Sequence, residues 1–123
     1  MTMNVQDTQL TVTAFFTAKP GKLDALKELS DRFVERTRKE SRMCAYAWSF
    51  NADEAQCRHR YQNAEGFIEH VENCYPLLQE ALTISECTRL AIAGPEDELA
   101  KLRETYAKID FLQYFIVRKS FRR

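Results

Sequence analysis

The chain is short of the residues that punctuate folds. It has three glycines (Gly21, Gly66, Gly94) and three prolines (Pro20, Pro76, Pro95). No two glycines are near neighbours, which excludes a G-x-G-x-x-G dinucleotide turn and a glycine-rich phosphate loop. The same scarcity argues against a flexible linker or a low-complexity tract. An excess of one charge is missing too. Eighteen Lys+Arg balance eighteen Asp+Glu, so no overall field draws nucleic acid or an anionic membrane. The densest basic stretch, Arg32, Arg36, Arg38 and Lys39, is interleaved with Asp31, Glu35 and Glu40 and reads as a solvated helix face of i,i+4 pairs. Arg118, Lys119, Arg122 and Arg123 are too few for a nucleic-acid footprint. No apolar run nears the roughly eighteen residues of a spanning helix, and the first residues lack the basic and apolar regions of a secretory signal. The expected location is the cytoplasm.

Four cysteines, Cys44, Cys57, Cys74 and Cys87, show no C-x-x-C spacing. In a reducing compartment they read as small buried apolar side chains. Only two histidines are present; they make a thin shell with no familiar ligand spacing, so neither a metal nor another cofactor is expected.

What is present suits one domain. The chain has 123 residues, 45% hydrophobic and 29% charged, an ordinary globular balance. After a polar leader over residues 1–9, a single domain is expected over 10–121. Alternation predicts a strand over 10–17, broken at Lys19-Pro20-Gly21-Lys22. Leu23, Leu26, Leu29 and Phe33 predict a helix running to about residue 41. Strands follow over 43–50 and 55–61; the first puts Cys44, Tyr46, Trp48 and Phe50 on one face, the second Ala55, Cys57, His59 and Tyr61. Asn63 is a candidate N-cap for a second helix, which Pro76 should kink or break near Cys74-Tyr75. A fourth strand over 84–93 ends at Gly94-Pro95. A short acidic-start helix with Leu99, Leu102, Tyr106 and Ile109 and a fifth strand over 111–117 complete the chain. The order βαββαβ followed by αβ is the ferredoxin-like α+β plan with a C-terminal extension. Its uncovered sheet face calls for a second copy, hence a homodimer.

The string Phe16-Thr17-Ala18-Lys19-Pro20-Gly21-Lys22 with Leu26 resembles the opening of antibiotic biosynthesis monooxygenase (ABM) domains, which are dimeric α+β barrels that include quinol monooxygenases. Thr37-Arg38-Lys39-Glu40, Tyr61-x-Asn63-Ala64, His70-x-x-Asn73 and Ala93-Gly94-Pro95 continue the resemblance over most of residues 10–121. It departs at two places: Glu40-Ser41-Arg42 lacks the glycine of the family's turn, and His59 stands where a glutamate often precedes the aromatic that closes the third strand. That removes the carboxylate expected to orient His70.

On the second helix His70 lies about 90° from the centre of the apolar arc. It can reach the gap between helix and sheet and take a proton from a phenol or enol. His59 and Tyr61 are candidate catalytic partners. Trp48, Tyr46 and Phe67 are candidate aromatic walls for a flat substrate, and Asn73 a candidate hydrogen-bonding group. The resemblance implies oxygenation of a small phenolic or quinol-type compound without a cofactor. A non-catalytic small-molecule binder and an isomerase on the same scaffold are the alternatives.

Overall fold

A computed structural model describes residues 8–121. The expected leader over 1–9 lies outside the described residues up to position 7, as do Arg122 and Arg123. The elements run β1 (Leu10–Ala18), α1 (Leu23–Thr37), β2 (Met43–Asn51), β3 (Glu54–Tyr61), α2 (Ala64–Asn73), α3 (Tyr75–Ile84), β4 (Ser85–Gly94), α4 (Glu96–Thr105) and β5 (Leu112–Ile116). The sheet order is β2-β3-β1-β4-β5. Its first four strands pair antiparallel, and β5 joins β4 in parallel. This is the ferredoxin-like α+β arrangement with an added αβ unit. No helix among the described residues is long and apolar enough to cross a membrane.

Strict alternation makes β1 the spine of the sheet. Leu10, Val12, Ala14, Phe16 and Ala18 are all buried beneath the helices, because period-two side chains share one face of a pleated strand. Gly21, with φ at +76°, turns the chain into α1, in a conformation that costs a glycine little. The helix ends at Thr37, short of the expected residue 41. The Glu40 amide donates to the Thr37 carbonyl at 3.0 Å, and this tight turn sends the Glu40 side chain inward. The solvated-face reading holds for Arg32 on Glu28 and Arg38 on Glu35 but not for Glu40, which is buried.

A register shift between Met43 and Ala45 corrects a second expectation. The extra residue turns Cys44 outward, so that thiol is exposed while Tyr46, Trp48 and Phe50 keep the inner face. One irregular residue changes which face its neighbours share. Pro76 breaks the second helical segment at Cys74, as the missing amide hydrogen requires, leaving α2 and α3 as separate helices. Ile109 lies beyond the end of α4 and is exposed.

The start of α2 is fixed from two sides. Asn63 accepts from the Gly66 amide at 3.0 Å, and Glu98, from α4, accepts from the Ala64 amide at 2.8 Å. Both satisfy donors that a helix leaves unpaired at its first turn. Gly66 lets this turn lie against the sheet; a Cβ there would stand 2.9 Å from the Arg42 Cβ and 3.2 Å from the Tyr61 Cβ. One turn later the helix delivers His70 to the core.

Candidate active site

His70 is 4% exposed and His59 6%, and their ring centroids are 5.3 Å apart. The two candidate histidines therefore meet, one from α2 and one from β3. Between them and the helices lies a cavity of about 70 Å³. Phe16, Phe33, Trp48 and Phe67 supply its aromatic walls, and Tyr46, Cys57 and both histidines its polar atoms. Of the sequence-predicted residues, Trp48, Tyr46, Phe67, His59 and His70 all reach this cavity. Tyr61 lies behind His59, and Asn73 behind His70.

The histidines have different partners. His70 Nδ1 sits 3.1 and 3.0 Å from the two oxygens of Glu40. Against a carboxylate that ring nitrogen must carry the proton, which leaves Nε2 as the lone-pair nitrogen of the neutral ring. Asn73 Nδ2 donates to Glu40 Oε2 at 2.8 Å and to the Arg36 carbonyl at 3.2 Å. Arg36 Nε in turn donates to the Asn73 carbonyl at 2.6 Å. These bonds tie the end of α1 to the end of α2 and hold the carboxylate against the imidazole.

His59 Nδ1 lies 2.5 Å from the Tyr61 hydroxyl. Burial, then the nearby Tyr46 and Glu40, holds the Tyr61 phenol protonated well above its usual range. His59 Nδ1 is its hydrogen-bond partner. A buried hydroxyl without an acceptor is costly, so the phenol donates to Nδ1. The neutral His59 ring then carries its proton on Nε2. Burial, reinforced by His70, keeps His59 well below the usual histidine pKa, so the ring stays uncharged near neutrality. One imidazole thus offers a lone pair and the other an N–H.

Tyr46 stands between them, its ring 5.3 Å from each. Its hydroxyl accepts from Trp48 Nε1 at 3.0 Å, and burial, with the Cys57 thiol beside it, raises its pKa. Burial pushes the Cys57 thiol up to about 12, and burial with Glu40 does the same to Cys74. Neither is a nucleophile at neutral pH.

Glu40 is the residue sequence reasoning missed. It was visible as the last position of Thr37-Arg38-Lys39-Glu40, but its neighbours in the chain are exposed charges. Only the pairing of the turn after α1 with the end of α2 shows it as the carboxylate whose loss His59 had suggested.

No family model matches the sequence, and no curated protein sequence resembles it. Solved structures do. MupZ from Pseudomonas fluorescens is 31% identical, with 94% of each chain covered and a TM-score of 0.88. Rv0793 from Mycobacterium tuberculosis is 24% identical over 73% of this chain and 97% of its own, with a TM-score of 0.63. An antibiotic biosynthesis monooxygenase is 19% identical over 68% of this chain and 92% of its own, with a TM-score of 0.60. The last two are similar in fold alone; the likeness to MupZ extends to sequence over nearly the full length. This chain therefore belongs to the family of MupZ, and its fold is the ferredoxin-like α+β fold shared with antibiotic biosynthesis monooxygenases.

Proposed function

We propose that the chain is a cofactor-independent monooxygenase of the cytoplasm that acts on a small phenolic or quinol-type compound. The observation that carries this reading is the Glu40–His70 pair at the wall of an aromatic cavity. His70 Nε2 removes a proton from the substrate hydroxyl, and Glu40 stabilises the imidazolium that forms. His59 Nε2–H donates to the phenolate oxygen, which holds the anion without adding a charge. The electron-rich anion reacts with O₂ at a ring carbon; one oxygen atom stays there as a carbonyl and the other leaves as water. The substrate itself gives up the two hydrogens and all four electrons, so that a phenol ends as a quinone and a hydroquinone as a hydroxyquinone.

The cavity of about 70 Å³ is smaller than the roughly 150 Å³ that accommodates a benzene ring in an apolar core. A ring therefore enters by displacing wall residues, and Tyr46, Trp48, Val71, Leu78 and Leu90, which line the cavity and are only half-buried, are the ones able to move. A homodimer completes the picture. Phe15 is half-buried on the sheet face away from the helices, and Phe115, beside Arg89, is exposed; a second copy would cover them. Light scattering that reads a monomer at micromolar concentration would remove the dimer.

The test is oxygen uptake in chelator-treated buffer with a panel of hydroquinones and polyphenols, beside His70→Ala. Uptake above autoxidation should fall in the variant by about 10²- to 10⁴-fold. Equal traces for the two proteins would overturn the reading. A base facing a neutral donor also suits isomerisation of an enolisable carbonyl compound, and turnover that persists without O₂ would favour that alternative.

A further inference from the structure

Behind the cavity, three donor atoms of different elements converge. Glu40 Oε2 and His70 Nδ1 are 3.0 Å apart, Cys74 Sγ and His70 Nδ1 3.8 Å, and Cys74 Sγ and Glu40 Oε2 3.9 Å. All three residues are buried, and their donor atoms lie within 4.8 Å of one another. A tetrahedral zinc ion holds oxygen and nitrogen at about 2.0–2.1 Å and sulfur at about 2.3 Å, which separates such donors by roughly 3.3–3.6 Å. The observed triangle needs adjustments of only a few tenths of an ångström. His70 and Cys74 are four residues apart, so one helical turn sets both on the same side. Glu40 arrives from the turn after α1, and Asn73 Nδ2 steadies it from outside the triangle, as an outer-shell group steadies a ligand.

Charge also fits. A carboxylate, a thiolate and a neutral imidazole cancel a divalent cation, so the occupied cluster carries no net charge into the core. The donor set of one sulfur, one nitrogen and one oxygen favours zinc-class ions over magnesium or calcium, which take oxygen.

We propose that Glu40, His70 and Cys74 form a binding site for a zinc-class divalent cation, and that occupying it silences His70 as a base. An ion on Nδ1 replaces the proton there. The neutral ring must then carry its proton on Nε2, and the lone pair facing the cavity is lost. The binding half of this inference stands apart from the oxygenase reading.

The experiment titrates metal-free protein with Co²⁺, followed by the near-ultraviolet thiolate-to-cobalt charge-transfer band, with Zn²⁺ as competitor. One equivalent per chain should bind, the band should vanish in Cys74→Ser, and it should persist in Cys44→Ser. A missing band, or one that survives Cys74→Ser and disappears with the exposed Cys44, overturns the site. Circular dichroism reports whether Cys74→Ser folds. If it does not, Asn73→Ala decides: affinity should fall by about 10- to 100-fold, and an unchanged affinity overturns the site. The silencing half is read without any substrate. Nitrogen NMR of the His70 ring should show the proton moving from Nδ1 to Nε2 when Zn²⁺ is added, and a ring that keeps its proton on Nδ1 overturns it.

Discussion

On the helix side of the cavity His70 rests on a carboxylate; on the sheet side His59 rests on a phenol. The rings are 5.3 Å apart and share one environment, yet their partners give them opposite tautomers. A carboxylate accepts and so draws the ring proton to Nδ1, whereas a phenol donates and so drives it to Nε2. Chemical role here is set by the atom behind the ring, not by the ring or its burial. The largest expected effect comes from making the two sides alike. Glu40→Gln keeps the shape of the partner but removes its charge, leaving the imidazolium form of His70 unpaired in the core. Turnover of the substrate found by oxygen uptake should drop by about 10²-fold or more. Undiminished turnover in Glu40→Gln would mean that the carboxylate only packs against His70.

The sheet side should respond in stability first. Tyr61→Phe leaves His59 Nδ1 without its donor and should cost about 1–3 kcal/mol in urea melts. The phenol's absence also frees His59 to take the other tautomer, so kcat should fall while the fold persists. The pH dependence distinguishes this side further. Folding holds His59 below its usual pKa, chiefly through burial, whereas the unfolded chain takes up its proton near pH 6.5. More protons are then bound in the unfolded state, so stability present above about pH 6.5 is lost as the pH falls below it. Unfolding titrations should show that slope in the native chain and a shallower one in His59→Gln. Equal slopes would place the acid sensitivity elsewhere.

How much of this was legible in the sequence depended on the range of the interaction. Alternation in β1 and β3, the cap at Asn63 and the break at Pro76 are local consequences of side-chain type, and each appears where the pattern puts it. That Cys57, His59 and Tyr61 share one face follows from period two alone; that this face is the buried one does not, since it depends on which side of the sheet the helices cover. Cys44 departs from the alternation because a bulge is a property of two paired strands, which the pattern of one strand does not carry. Glu40 departs from the solvated-face reading for a related reason. Its burial depends on His70 and Asn73, 30 and 33 residues away in the chain, and its local context of Arg38 and Lys39 pointed to solvent. The charged half of the site was therefore hidden and the aromatic half visible: aromatic rings announce burial by themselves, but a carboxylate is buried only by its partner.

Tyr46 is the one wall that both sides share, and it sharpens the comparison by an effect expected to be small. Its ring packs equally close to His59 and His70, and the indole N–H of Trp48 fixes its hydroxyl. Trp48→Phe keeps an aromatic ring against Phe16, which stacks on Trp48, and Phe33, which lies tilted against it, each with its centroid 5.4 Å away. It removes the hydrogen bond, and the smaller ring leaves some space. The loss of one neutral hydrogen bond should cost about 0.5–1.5 kcal/mol. Because Trp48 donates to Tyr46 rather than to either histidine, the slope of stability with pH should match that of the native chain. Turnover should change through KM more than kcat, since the wall shapes the cavity without touching the proton transfers. A changed pH slope in Trp48→Phe would instead make Tyr46 an active part of the histidine pair, joining the two sides through its hydroxyl.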